Sequence, residues 1–144
     1  MAKNSKIRKQ SLNIPKSILV TTQILQFISL KLVTRFGARL FATPIKHRMP
    51  KREFEMNDKS RQQKVLIPKI SKEIMVYQYG ASAKKILLVH GWSGRGTQLV
   101  KIADELLQLG YSTISFDAPA HGKSSGKTTL MPEFIASILD FVEL

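Results

Sequence analysis

The stretch Leu87-Leu88-Val89-His90-Gly91-Trp92-Ser93-Gly94 decides how the rest of the chain is read. Ile86 to Val89 is a continuous apolar run, as expected of a strand buried on both faces. Such a strand lies inside a sheet covered by helices. It stops at His-Gly, and in open α/β sheets ligands gather at the carboxyl ends of strands. Gly91 permits a tight turn and a close approach of backbone to ligand. A backbone N–H exposed in that turn can stabilise the oxyanion of an acyl-transfer intermediate, a contact worth roughly 3 kcal/mol. Taken alone, these residues also have a plainer reading, with His90 capping a strand through local hydrogen bonds and Trp92 packing.

Working outward, Thr97–Leu109 reads as an amphipathic helix. Leu99, Ile102, Ala103, Leu106 and Leu107 share its inner face, and Gly110 is its stop. Tyr111–Phe116 is a strand, followed by a Gly/Ser/Lys loop and a helix from about Pro132 to the last residue. Upstream, Val65–Ile70 and Glu73–Tyr79 read as strands, with Ile74, Val76 and Tyr77 in a β-branched and aromatic run. Gly80-Ala81-Ser82 makes the turn to the apolar strand that follows. Strand, helix, strand, loop, helix is the rhythm of an α/β fold with a mostly parallel sheet, placed over residues 65–144.

A second segment lies one helix and one strand later: Phe116-Asp117-Ala118-Pro119-Ala120-His121-Gly122-Lys123-Ser124. His-Gly-Trp after one strand, then Asp-x-x-x-His-Gly-x-Ser after the next, resembles the α/β-hydrolase superfamily over about residues 74–144. The resemblance implies that the Trp92 N–H contributes to an oxyanion hole, with His90 and Gly91 forming its turn. It implies that Asp117 organises the following loop and is not the catalytic acid. His121, Gly122 and Ser124 match that loop's His-Gly-x-Ser. Many members have glycine where this chain has Ala120. The implied activity is serine-type hydrolysis of an ester, thioester or amide in a small-molecule acyl substrate, with no cofactor and no metal. In the family the triad runs Ser, then Asp/Glu, then His, and the nucleophile follows the strand after the helix in which this sequence ends. Residues 1–144 are therefore expected to hold no nucleophile, acid or base of the triad and to be inactive alone.

Two motifs in the same loop mislead. Gly122-Lys123-Ser124-Ser125-Gly126 is a literal G-x-S-x-G. A nucleophile elbow needs its serine at a sharp turn directly between strand and helix. Here Asp117–His121 intervene, so Ser124 is expected to sit in an open loop and not to attack. The loop also imitates a phosphate-binding Walker motif. Gly122-Lys123-Ser124 has Asp117 where the first glycine belongs, and Gly126-Lys127-Thr128 has His121 there. An aspartate facing phosphate is repulsive, so nucleotide binding is the least favoured reading.

The first 64 residues differ in kind. Residues 1–85 carry 19 Lys/Arg against 4 Asp/Glu, residues 86–144 carry 4 against 6, and no acid precedes Glu53. Pro15 can open a helix. Residues 16–41 read as one helix with Ile18, Leu25, Ile28, Leu32, Phe36 and Leu40 on a stripe. Val20, Ile24, Phe27 and Leu30 lie off that stripe, so the helix calls for burial on more than one side. Its uncharged run is short of the ~20 residues needed to cross a bilayer, and no signal-peptide cleavage pattern follows. Residues 46–64 look like a polar connector. The chain is expected in the cytoplasm, with weak contact to anionic membrane through residues 1–52 as an option, and without nucleic acid as a partner. The alternative to a hydrolase is a non-catalytic chain whose basic part binds membrane or protein. The sequence contains no cysteine and its three histidines are far apart, so no metal site is expected.

Overall fold

The computed structural model describes residues 14–142. Residues 1–13, part of the basic extension, and the last two residues, part of the final helix, lie outside the described residues. The chain divides into two compact units between Leu40 and Phe41. Composition changes near residue 64, whereas packing changes here.

The first unit is helical. The single helix expected over 16–41 is two: α1 (Lys16–Ile28) and α2 (Leu30–Phe41). Ser29 separates them in an extended conformation, φ −166° and ψ 130°. Pro15 precedes α1 as anticipated, and its carbonyl accepts from the Ile18 N–H.

The second unit is built on a four-stranded sheet of β1 (Arg61–Ile67), β2 (Lys72–Tyr79), β3 (Lys85–Leu88) and β4 (Ser112–Asp117). Their order across the sheet is β1-β2-β4-β3. The expectation of a mostly parallel sheet is corrected. β1 pairs with β2 antiparallel, β2 with β4 antiparallel, and only β3 with β4 is parallel. The physical reason is connection length. A short turn through Pro68–Ile70 joins β1 to β2, and so few residues can only reverse the chain. A parallel pair needs a long crossover, supplied here by α4 (Val100–Gln108) between β3 and β4.

Layers form on both faces because side chains alternate along each strand. Ile74 and Val76 of β2 join Ile67, Phe116, Ala118 and Phe134 in one core, with Phe134 coming from α5 (Met131–Val142). Tyr79, Leu88, Val100, Ala103 and Met56 form the other. Met56 lies on α3 (Phe54–Lys59), so the stretch expected to be a polar connector contributes a core residue. The helix expected over 97–109 begins as a tighter turn, Gly96–Leu99, before α4 proper. Its stop is as anticipated. Gly110 takes φ +82°, its N–H donates to the Leu107 carbonyl, and the Tyr111 N–H donates to that of Leu106. This pair of bonds satisfies carbonyls that the helix end leaves open.

Candidate active site

The carboxyl ends of β3 and β4 carry the two loops that the sequence singled out. The loop after β3 turns through Gly91–Gly94, closed by a bond from the Gly94 N–H to the Gly91 carbonyl at 3.0 Å. The loop after β4 runs through Ala118–Ser125.

Two buried histidines tie these loops together reciprocally. His90 Nε2, in the β3 loop, accepts from the Ala118 N–H in the β4 loop at 3.0 Å. His121 Nε2, in the β4 loop, accepts from the Ser93 N–H in the β3 loop at 3.0 Å. A nitrogen that accepts is unprotonated, so each neutral ring carries its proton on Nδ1. There His90 meets the Gly91 carbonyl at 2.7 Å and His121 the Pro119 carbonyl at 3.0 Å. The ring centroids are 5.0 Å apart. Burial pushes both imidazoles below their ordinary 6.5, which favours this neutral form. With both nitrogens of each ring engaged, neither histidine is free to shuttle a proton.

Asp117 is a second lock. It is 1% exposed, and its carboxylate accepts three hydrogen bonds. Oδ1 takes the Gly96 N–H at 2.7 Å, and Oδ2 takes the Lys123 N–H at 2.7 Å and the Tyr77 hydroxyl at 2.9 Å. Burial, together with the neighbouring Asp117 charge, pushes the Tyr77 phenol above its ordinary range and keeps it a donor. Gly122 makes the close approach to Asp117 feasible. Its φ is +44°, and a Cβ there would stand 2.1 Å from Asp117 Oδ2. Ala120 also adopts a left-handed conformation, φ 64°.

Ser124 is buried, not in an open loop. Its Oγ donates to the Asp117 carbonyl at 2.5 Å and accepts from the Met75 N–H at 2.8 Å. Trp92 is 45% exposed, and its ring packs on His121, Phe134 and Phe41 at centroid distances of 5.4, 6.3 and 6.1 Å. Its backbone N–H has no hydrogen-bond partner among the described residues. The structure thus brings His90, Gly91, Trp92, Asp117, His121, Gly122 and Ser124 to one edge of the sheet.

Sequence reasoning missed a third tie. Glu53 is 1% exposed, accepts from the Thr97 hydroxyl at 2.8 Å and lies 3.5 Å from Arg95 Nε. Arg95 also donates to the His47 carbonyl at 2.8 Å. The β3 loop is therefore fastened to segment 47–53. A signal was present: Glu53 is the first acid after 52 residues without one. A cavity of about 190 Å³ lies beside these ties, with Lys46, Tyr77, Arg95, Asp117 and His121 in its walls. Trp92 does not line it. Among the described residues no group of His, Asp and Glu side chains is placed to hold a metal ion.

Solved structures share this architecture. An esterase of Pyrococcus furiosus matches with a TM-score of 0.59 and 19% identity over 71% of this chain and 40% of its own. A thioesterase domain from the curacin biosynthetic pathway matches at 0.52 and 20% over 58% and 32%. A bromoperoxidase of Bacillus anthracis matches at 0.50 and 25% over 58% and 30%. No protein-family model and no curated protein matches the sequence. The chain has the α/β-hydrolase fold. It spans 40% or less of the length of each of these three structures.

Proposed function

We propose that this chain supplies the oxyanion-hole corner of a serine-type hydrolase acting on an ester, thioester or amide of a small-molecule acyl substrate. The observation that carries the reading is the Trp92 N–H. It sits in the turn after β3, without a hydrogen-bond partner among the described residues, while the Ser93 and Gly94 N–H groups that follow it are engaged. An unpaired donor held rigidly is what charge developing on a carbonyl oxygen requires. The histidine braces and the Asp117 carboxylate are positioning groups in this reading, since their hydrogen bonds hold loop backbone and, for Asp117, the Tyr77 hydroxyl as well. Ser124 is structural, because its hydroxyl proton goes to a backbone carbonyl and not to an imidazole. Residues 1–144 alone then offer an oxyanion donor without a triad and turn over no ester. The reaction calls for no cofactor.

Amide hydrogen exchange tests the donor. The Trp92 amide is expected to exchange far faster than those of Ser93, Gly94 and Gly96. A Trp92 amide as protected as that of Ser93 would remove it from the role.

A second reading concerns the first unit. Its helices expose apolar side chains beside a run of cations, which favours contact with an anionic membrane.

A further inference from the structure

Resting on that second reading, we propose that α1 and α2 form an interfacial surface for an anionic bilayer. Val20, Ile24, Phe27 and Ile28 of α1 enter the acyl boundary, and Lys31 and Arg35 of α2 meet lipid phosphates.

The four apolar residues recur at i, i+4, i+7 and i+8 and so share one helix face. They are 52%, 55%, 95% and 63% exposed. Of the stripe read from the sequence, Ile28 belongs to this exposed face, whereas Ile18 and Leu25 do not. Ile18 and Leu25 are half-buried, and Leu25 lines a groove with Leu32, Phe36 and the exposed Arg35 of α2. The helix therefore has two apolar sides, as its composition demanded, and the fold covers only one of them. Neither α1 nor α2 has a fully buried residue.

Charge selects the occupant. Lys31 and Arg35 stand at i and i+4 on one face of α2, and no acid precedes Glu53. Like charges in that array repel one another, and a negative surface relieves the repulsion. Val33, Phe36 and Leu40 lie on the opposite side of α2, which makes it amphipathic. The helices have 13 and 12 residues, short of the ~20 that a span requires, so the surface lies on the bilayer and does not cross it.

The test uses the whole chain carrying Phe27→Trp, compared with the unsubstituted chain, whose one tryptophan is Trp92. Phosphatidylcholine vesicles with and without phosphatidylserine are added, and emission and co-sedimentation are followed. The expected result is a blue shift specific to residue 27 with the anionic vesicles, weakened by salt. Lys31→Gln with Arg35→Gln should weaken binding roughly thirtyfold. Anionic binding with no shift at residue 27 and no effect of the double substitution would overturn this surface while leaving membrane contact through other residues. No binding at all would overturn both. A blue shift already present without vesicles, together with dimers in sedimentation, would place a second copy on the face and overturn the proposal.

Discussion

His90 and His121 hold each other's loops only while neutral, because protonation of Nε2 would turn an acceptor toward a backbone donor. Burial sets their folded pKa values below 6.5, so as pH falls the unfolded chain takes up protons first. The stabilisation is complete above 6.5 and is lost as pH falls from there through the folded values. Glu133 titrates in a lower window. Burial raises its carboxyl most strongly, but the hydrogen bonds it accepts and the Lys72 charge together outweigh this and hold it below 4.5. Urea midpoints should therefore decline between neutrality and pH ~5, and less so in His90→Gln and His121→Gln. A midpoint flat across that interval would show that the rings are not locked. Ala120 is a balance of terms. Its left-handed backbone costs roughly 1–2 kcal/mol. Ala120→Gly would relieve that, lose about 0.8 kcal/mol of buried methyl and loosen the unfolded chain by about 0.4–1 kcal/mol. Chemical denaturation should place Ala120→Gly within about 1 kcal/mol of the parent, and Ala120→Val, β-branched at positive φ, well below both.

At the scale of elements, the β3 loop is held from three sides, by the β4 loop, by Asp117 and by segment 47–53. Glu53→Ala should cost about 3 kcal/mol in denaturation, because Arg95 and the Thr97 hydroxyl would lose a buried acceptor. A loss under about 1 kcal/mol would mark the pair as solvated. The two loop motifs were legible because their chemistry is local: an apolar run ending at His-Gly, and an Asp followed by His-Gly-x-Ser. Gly110 was legible for the same reason. The direction of β1 and β2 was written in the short connections through Pro68–Ile70 and Gly80-Ala81-Ser82, but apolar runs suggested a parallel sheet more strongly. The break at Ser29 was not legible, since apolar spacing continues across it. Nor was the reciprocity of His90 and His121, which are 31 residues apart and meet only because β3 and β4 are parallel neighbours.

At the scale of the whole molecule, the sheet and the layered cores are those of the α/β-hydrolase fold, and the two loops lie at the carboxyl ends of β3 and β4. The first unit has a separate character, cationic and without buried residues in α1 and α2. No helix among the described residues is long and apolar enough to cross a membrane. Trp92 is the proposed oxyanion donor, and no residue of 1–144, Ser124 included, is proposed as a nucleophile. The most direct measurement is labelling of that polypeptide by a fluorophosphonate probe, beside an active serine esterase as control and alongside hydrolysis of short-chain nitrophenyl esters. The expected result is no labelled adduct and no turnover above buffer. An adduct on Ser124, lost together with ester hydrolysis in Ser124→Ala, would contradict the account and make the G-x-S-x-G of that loop the nucleophile after all.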